Sequence, residues 1–143
     1  EESERPLILM GGGTGFAPLK GIIEHAFHIG YQRSMHLYWG VRAQRDLYLK
    51  ELPESWAAEH PNFRFTAVLS EPDADWNGRR GWVHEAVLAD YPNLADYDLY
   101  MSGPPVMIDV AASAFAAAGL SRDHMYSDAF EYAKDSRQAP KEA

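Results

Sequence analysis

Cysteine is absent from the 143 residues. That removes disulfides, thiolate zinc sites and cysteine-ligated iron–sulfur clusters from this chain. Long apolar runs are missing too: nothing approaches the roughly 20 residues needed to span a bilayer. No targeting pattern opens the sequence, so a cytoplasmic setting without membrane contact is the default expectation. Positive charge is scarce, since 13 Lys and Arg face 21 Asp and Glu, for a formal charge of −8. That excess argues against a nucleic-acid or anionic-membrane partner. No internal repeat occurs. No G-x-S-x-G elbow occurs either, which makes Ser102 a poor hydrolase nucleophile. What remains is a composition 46% hydrophobic, enough for one domain with a substantial core. The charged Glu1–Arg5 reads as a linker without an initiator methionine. Residues 1–132 are expected to form the domain, and 133–143 a loose polar tail.

The chain is organised around Pro6–Lys20, Pro-Leu-Ile-Leu-Met-Gly-Gly-Gly-Thr-Gly-Phe-Ala-Pro-Leu-Lys. Leu7–Met10 is continuously apolar, as suits a strand buried on both faces. Gly11, Gly12, Gly13, Thr14 and Gly15 then offer almost no bulk, so a ligand can touch the main chain. Phe16, Ala17 and Pro18 lead into a helix, with Pro18 suited to a first helical position. Strand, bare loop and helix N-terminus together make an anion site, because unpaired N–H groups and the positive end of the helix dipole face the loop. A pyrophosphate is the natural guest. The standard dinucleotide fingerprint G-x-G-x-x-G is not met, since Gly13, Gly15 and Pro18 hold its three positions. An ATPase-type phosphate loop is not met either, because Leu19 precedes Lys20. A ligand-free glycine turn is the plainer alternative, but three consecutive glycines cost conformational entropy that such a turn does not require.

Beyond this stretch the pattern alternates. A helix is predicted over Pro18–Ile29, with Leu19, Ile22, Ile23, Ala26 and Phe27 on one face, then a strand over Met35–Trp39 ending at Gly40. Asp46 is expected to cap a short helix through Leu52, with another over Glu54–His60. Phe63–Leu69 reads as a strand, Ser70–Gly81 as a loop, Trp82–Tyr91 as a helix and Leu99–Met101 as a strand. Pro105–Ala118 reads as a helix and Met125–Ser127 as a fifth strand. Strands alternating with helices give an α/β, Rossmann-like parallel sheet of about five strands with helices on both faces. Ligands are expected beyond the carboxyl ends of the strands.

The sequence Ser102-Gly103-Pro104-Pro105-Val106-Met107 forms a second rigid turn placed to face the first. With it in view, the chain resembles the NAD(P)H-binding domain of the ferredoxin–NADP reductase family. Within that family it is most similar to the NADH-dependent oxygenase reductases, the hexulose reductases and the flavin subunit of sodium-pumping NADH:quinone reductase. Five segments carry the resemblance: Gly11–Pro18, Tyr38–Arg42, Leu69–Pro72, Gly103–Met107 and Ser127–Phe130. It implies that NADH gives a hydride to FAD held on a separate flavin-binding barrel domain, so that this chain is the nucleotide-binding half of a reductase. Electrons would pass on to a ferredoxin-type or oxygenase acceptor. By the same resemblance, Thr14 and its neighbours meet the pyrophosphate, Gly40, Arg42 and Ser70 lie near the adenosine, and Gly103, Pro104, Pro105 and Met107 lie by the nicotinamide. Phe130 matches the aromatic near the flavin ring. Relatives usually carry Cys where this chain has Ser102, beside the site of hydride transfer. NADPH-using relatives place Arg after the serine of the third loop, where this chain has Glu71; a carboxylate there favours NADH over NADPH.

Rival readings are a non-catalytic NAD(P)H-sensing or docking module, and a flavodoxin-like or receiver-like interaction domain. A receiver would want acids at strand ends, where Met10 and Trp39 stand. His25 and His28 have metal-ligand spacing but no third ligand, and read as surface. Trp76, Trp82 and Tyr91 read as packing residues.

Overall fold

The computed structural model describes residues 5–13, 16–47 and 50–127. Among them six strands and four α-helices follow in the order β1 (Leu7–Gly12), α1 (Phe16–His28), β2 (Met35–Val41), α2 (Glu51–Glu59), β3 (Phe63–Leu69), β4 (Arg79–Arg80), α3 (Val83–Asp90), β5 (Asp98–Ser102), α4 (Pro105–Ala117) and β6 (Met125–Ser127). The sheet runs β4-β3-β2-β1-β5-β6 and every pairing is parallel. The α/β class and parallel sheet are as expected. The strand count differs, because Arg79–Arg80 add a two-residue strand beside Val68 and Leu69. Two charged residues carry no period-2 signal.

Side chains of successive strand residues point to opposite faces, and each face of the sheet has its own core. Ile8 and Met10 of β1, Tyr38 of β2 and Leu99 and Met101 of β5 join Val83 and Val87 of α3 and Ile108 and Phe115 of α4. Leu9 of β1, Leu37 and Trp39 of β2 and Phe63 of β3 join Phe16, Leu19 and Ile23 of α1 and Trp56 of α2. Phe16, Leu19, Ile23 and Ala26 are the buried residues of α1, the i, i+3, i+7 spacing of a helix laid on a sheet. That helix starts at Phe16, two residues before the predicted Pro18.

The expected helix over Asp46–Leu52 is not found as such. Gln44–Asp46 forms a single 3₁₀ turn, and the Asp46 carboxylate accepts from the Ala43 N–H at 3.2 Å. It closes the turn behind it instead of capping a helix ahead. The helix expected over Glu54–His60 begins earlier, at Glu51. No helix among the described residues is long and apolar enough to cross a membrane.

The chain moves outward from β1 through β2 and β3, then returns across the sheet to β5 on the other side of β1. β1 is thus the point where strand order reverses. Doubly wound sheets open a crevice there, at the carboxyl ends of the strands.

Candidate functional site

A cleft of about 570 Å³ opens at this switch point. Its floor is the carboxyl end of the sheet: Gly12 and Gly13 after β1, Gly40 and Val41 of β2, Val68 of β3 and Ser70. Arg42, Arg45 and Asp46 form one wall, Gly81, Trp82, Val83 and His84 another, and Pro104 and Met107 the far side.

Gly13 turns at φ +58°, and a Cβ built on it meets nothing within 4 Å. A residue with a side chain would be strained there, and its Cβ would project into open space. The carbonyl of Gly13 is held from below. The Trp39 indole N–H donates to it at 2.9 Å, and the Trp39 ring stacks on Phe16, with centroids 4.4 Å apart and planes inclined by 12°. Both aromatics are fully buried. The first glycine loop thus rests on a rigid aromatic platform shared by β2 and α1.

The other wall depends on α3. Its first residues reach the sheet closely, since a Cβ on Gly40 would come 2.6 Å from the Val83 Cβ. Its far end is held by polar groups. Tyr38 donates to the Asp90 carboxylate at 2.6 Å, and Arg79 grips both Asp90 oxygens at 3.1 and 2.9 Å and the Ala86 carbonyl at 3.2 Å. Next to this, the His36 ring lies between the Tyr91 hydroxyl at 2.8 Å and the Thr66 hydroxyl at 2.7 Å. Burial, with Arg64 nearby, lowers the His36 pKa from 6.5 to about 4, so the ring is neutral at physiological pH. Burial also raises the Tyr38 pKa, helped by the Asp90 hydrogen bond. Desolvation opposes ionisation of Asp90, but the hydrogen bonds from Tyr38 and Arg79 outweigh it and hold the carboxyl below its usual range.

Of the expected site residues, Gly12, Gly13, Gly40, Arg42, Ser70, Pro104 and Met107 come together around the cleft. Gly11 is buried in register with Trp39 and Ser102. Ser102 is itself buried and leads into Gly103 and Pro105 at the start of α4. Ala17 and Pro18 are exposed on the first turn of α1, whereas the Phe16 side chain lies in the core. Glu71 is exposed one residue past Ser70; its backbone N–H donates to the Arg42 carbonyl at 2.8 Å, linking the second and third loops. Thr14, Gly15, Phe130 and the tail from residue 133 lie outside the described residues.

Sequence reasoning missed Asp46, Val41, Val68 and the Trp82–His84 wall. Trp82 was expected to be a packing residue. Instead it is 63% exposed at the cleft, because α3 starts immediately after it and turns Val83, Ala86 and Val87 inward. A signal was present in Gly81-Trp82, a large aromatic set directly after a glycine turn at a strand end. His25 and His28 are exposed on α1, and no metal-binding cluster of His, Cys, Asp or Glu occurs among the described residues.

A glycine turn at a strand's carboxyl end, with the starts of α3 and α4 beside it, lies where doubly wound sheets bind their ligands. The model of the oxidoreductase NAD-binding domain matches residues 9–113, which takes in both glycine turns and both walls. The chain belongs to that family. As an oxidoreductase NAD-binding domain it is 44% identical over 129 residues to protein RfbI of Salmonella typhimurium. It is 39% identical, over the same length, to the CDP-6-deoxy-L-threo-D-glycero-4-hexulose-3-dehydrase reductase of Yersinia pestis. Each alignment covers 90% of this chain but 39% of the relative, so the domain spans about two fifths of the curated relatives it matches. Among solved structures, the Amycolatopsis cytochrome P450 reductase GcoB superposes with a TM-score of 0.83 at 36% identity, covering 90% of this chain and 38% of that one.

Proposed function

We propose that this domain binds NADH in the cleft and presents its nicotinamide to FAD carried on a separate barrel domain. Electrons then pass to a ferredoxin-type or oxygenase acceptor. The observation that carries this reading is the bare turn at Gly13, on the edge of a cleft that Gly12, Pro104 and Met107 also line. At Gly13, where nothing lies within 4 Å of a Cβ position, the backbone can approach a pyrophosphate with no side chain between them. When bound, NADH supplies the hydride. The chain's own residues bind and orient it, which is the protein's part in cofactor chemistry of this kind. The Gly12–Gly13 backbone and the first turn of α4 hold the phosphates. Trp82 offers a flat apolar face for the adenine, Ser70 and Asp46 offer acceptors for ribose hydroxyls, and Pro104 and Met107 bound the nicotinamide end. Ser102 acts as a positioning residue through the turn it begins.

NADH is favoured over NADPH. Two arginines near the third loop are already engaged: Arg79 by Asp90, and Arg80 by the carbonyls of Ala74 and Trp76. Asp46 in the cleft, with Glu71 beside Ser70, would repel a 2′-phosphate. Arg42 and Arg45 also line the cleft, which keeps the preference at several-fold, not absolute.

Titration with NADH and NADPH, read by energy transfer from tryptophan to the reduced nicotinamide, tests the reading. Saturable NADH binding that is several-fold tighter than NADPH binding is expected, and Gly13→Val should abolish it in a protein that still folds, at a cost of about 1–2 kcal/mol in loop strain. No NADH binding would reject the function. Retained binding in a folded Gly13→Val variant would move the site elsewhere.

A further inference from the structure

The chain has five methionines and no cysteine. Met10, Met35 and Met101 have no exposed surface, and Met125 is 5% exposed. Met107 alone is half-buried, and it lines the cleft. It stands in the first turn of α4, and its thioether reaches back to β1. A Cβ built on Gly12 would collide with the Met107 Sδ and lie 2.9 Å from its Cε; one on Gly103 would lie 2.8 Å from the same Cε. The thioether therefore rests on the backbone of both glycine segments, which β1–β5 pairing already holds side by side.

We infer that Met107 is an oxidation-sensitive modification site, and that its conversion to the sulfoxide by hydrogen peroxide shuts the cleft to the nucleotide. The second half of this inference rests on the reading of the cleft as the NADH site. The thioether lone pair attacks one peroxide oxygen and the O–O bond breaks. The departing hydroxide takes the proton from the transferred oxygen and leaves as water. Sulfur is oxidised by two electrons and the peroxide is reduced by two. The product is bulkier and carries a polar oxygen that needs a hydrogen-bond donor or water. The sulfur end of the side chain already touches the Gly12 and Gly103 positions, so the added oxygen has no room on that side. The side chain must swing off the backbone, and the open direction is the cleft, beside Gly13 and Pro104. The displaced group then occupies the space a pyrophosphate needs. Because the step stops at the sulfoxide, methionine sulfoxide reductase reverses it. Bound nucleotide shields the sulfur and slows the reaction.

The experiment treats the protein with dilute hydrogen peroxide, with and without NADH, then maps added oxygen by peptide mass. NADH affinity and the thermal melt are measured before and after. One oxygen on the Met107 peptide, slower addition under NADH, and about a tenfold or greater loss of NADH affinity are expected, with the melt retained. Sulfoxide reductase should restore the affinity. In Met107→Leu, whatever its own affinity, the treated-to-untreated ratio should stay near one. Oxygen appearing first on another methionine or on Trp82, unaltered affinity with Met107 fully oxidised, or affinity lost only through unfolding would each overturn the inference. If untreated protein binds no NADH, the nucleotide reading fails separately, while the site and reversibility of oxidation are still decided by mass.

Discussion

The two faces of the sheet are held together by different means. On the α1 and α2 face the contacts are aromatic and dry: Phe16 on Trp39, Trp56 edge-on to Phe63, and Phe27 edge-on to both Trp56 and Phe63. Its notable polar contact is the Trp39 indole bond to the Gly13 carbonyl. The α3 and α4 face has an aliphatic centre, but its margin is a chain of polar side chains, His36 with Thr66 and Tyr91, and Tyr38 with Asp90 and Arg79. Packing of the first kind depends on shape and apolar area and is indifferent to pH. Packing of the second kind depends on protonation and on every partner being present. The dry face supports the glycine ridge, where rigidity matters most. The polar face fixes the end of α3 remote from the cleft, and with it the wall that carries Trp82.

The largest effect should come from the dry face. Trp39→Ala removes a fully buried indole and should cost about 3–5 kcal/mol in urea unfolding. The milder Trp39→Phe keeps a ring but leaves the Gly13 carbonyl without its donor. It should cost about 1 kcal/mol in stability and weaken NADH binding as well. A Trp39→Phe variant with unaltered NADH affinity would show that the platform does not position the ridge.

Acid comes next and should act through the polar face. His36 takes up a proton near pH 6.5 when unfolded and only near about pH 4 when folded. The unfolded state therefore binds more protons between these values. The stability held by neutral His36 is full above about 6.5 and is lost as pH falls toward about 4, on the order of 3 kcal/mol in all. Unfolding free energies across that window check this. The slope should flatten in His36→Gln, and an unchanged slope there would assign the acid sensitivity to other groups.

The smallest effect separates the members of the Asp90 cluster. Tyr38→Phe removes a buried donor to a carboxylate and should cost about 1–2 kcal/mol. Arg79→Lys, breaking a fork between groups that are each more than a third exposed, should cost under about 1 kcal/mol. The reverse order in paired melts would mean that the ion pair, not the phenol, holds α3.

Local signals were readable wherever neighbours along the chain decided the outcome. The apolar run Leu7–Met10, the glycines after it and the alternation of Phe63–Leu69 each mark their element, because side-chain period and backbone freedom are properties of adjacent residues. Weak signals failed. Arg79–Arg80 forms a strand because β3 offers Val68 and Leu69 an open edge. Asp46 closes a turn because the Ala43 N–H lies within its reach.

The amino-acid order alone determined the succession of strands and helices and the glycine turns at Gly13 and Gly103. From these follow a parallel sheet and an anion-ready strand end. Tertiary structure alone decided which side chains meet around that end. Trp39 reaches Gly13 across 26 residues, and His36 reaches Tyr91 across 55. Trp82 faces the cleft, Arg79 turns to Asp90, and Met107 spans the two glycine turns. The reason is that the cleft exists only once successive crossovers return their loops to one edge of the sheet. Until then none of these residues is near its partner, and no pattern along the chain encodes the meeting.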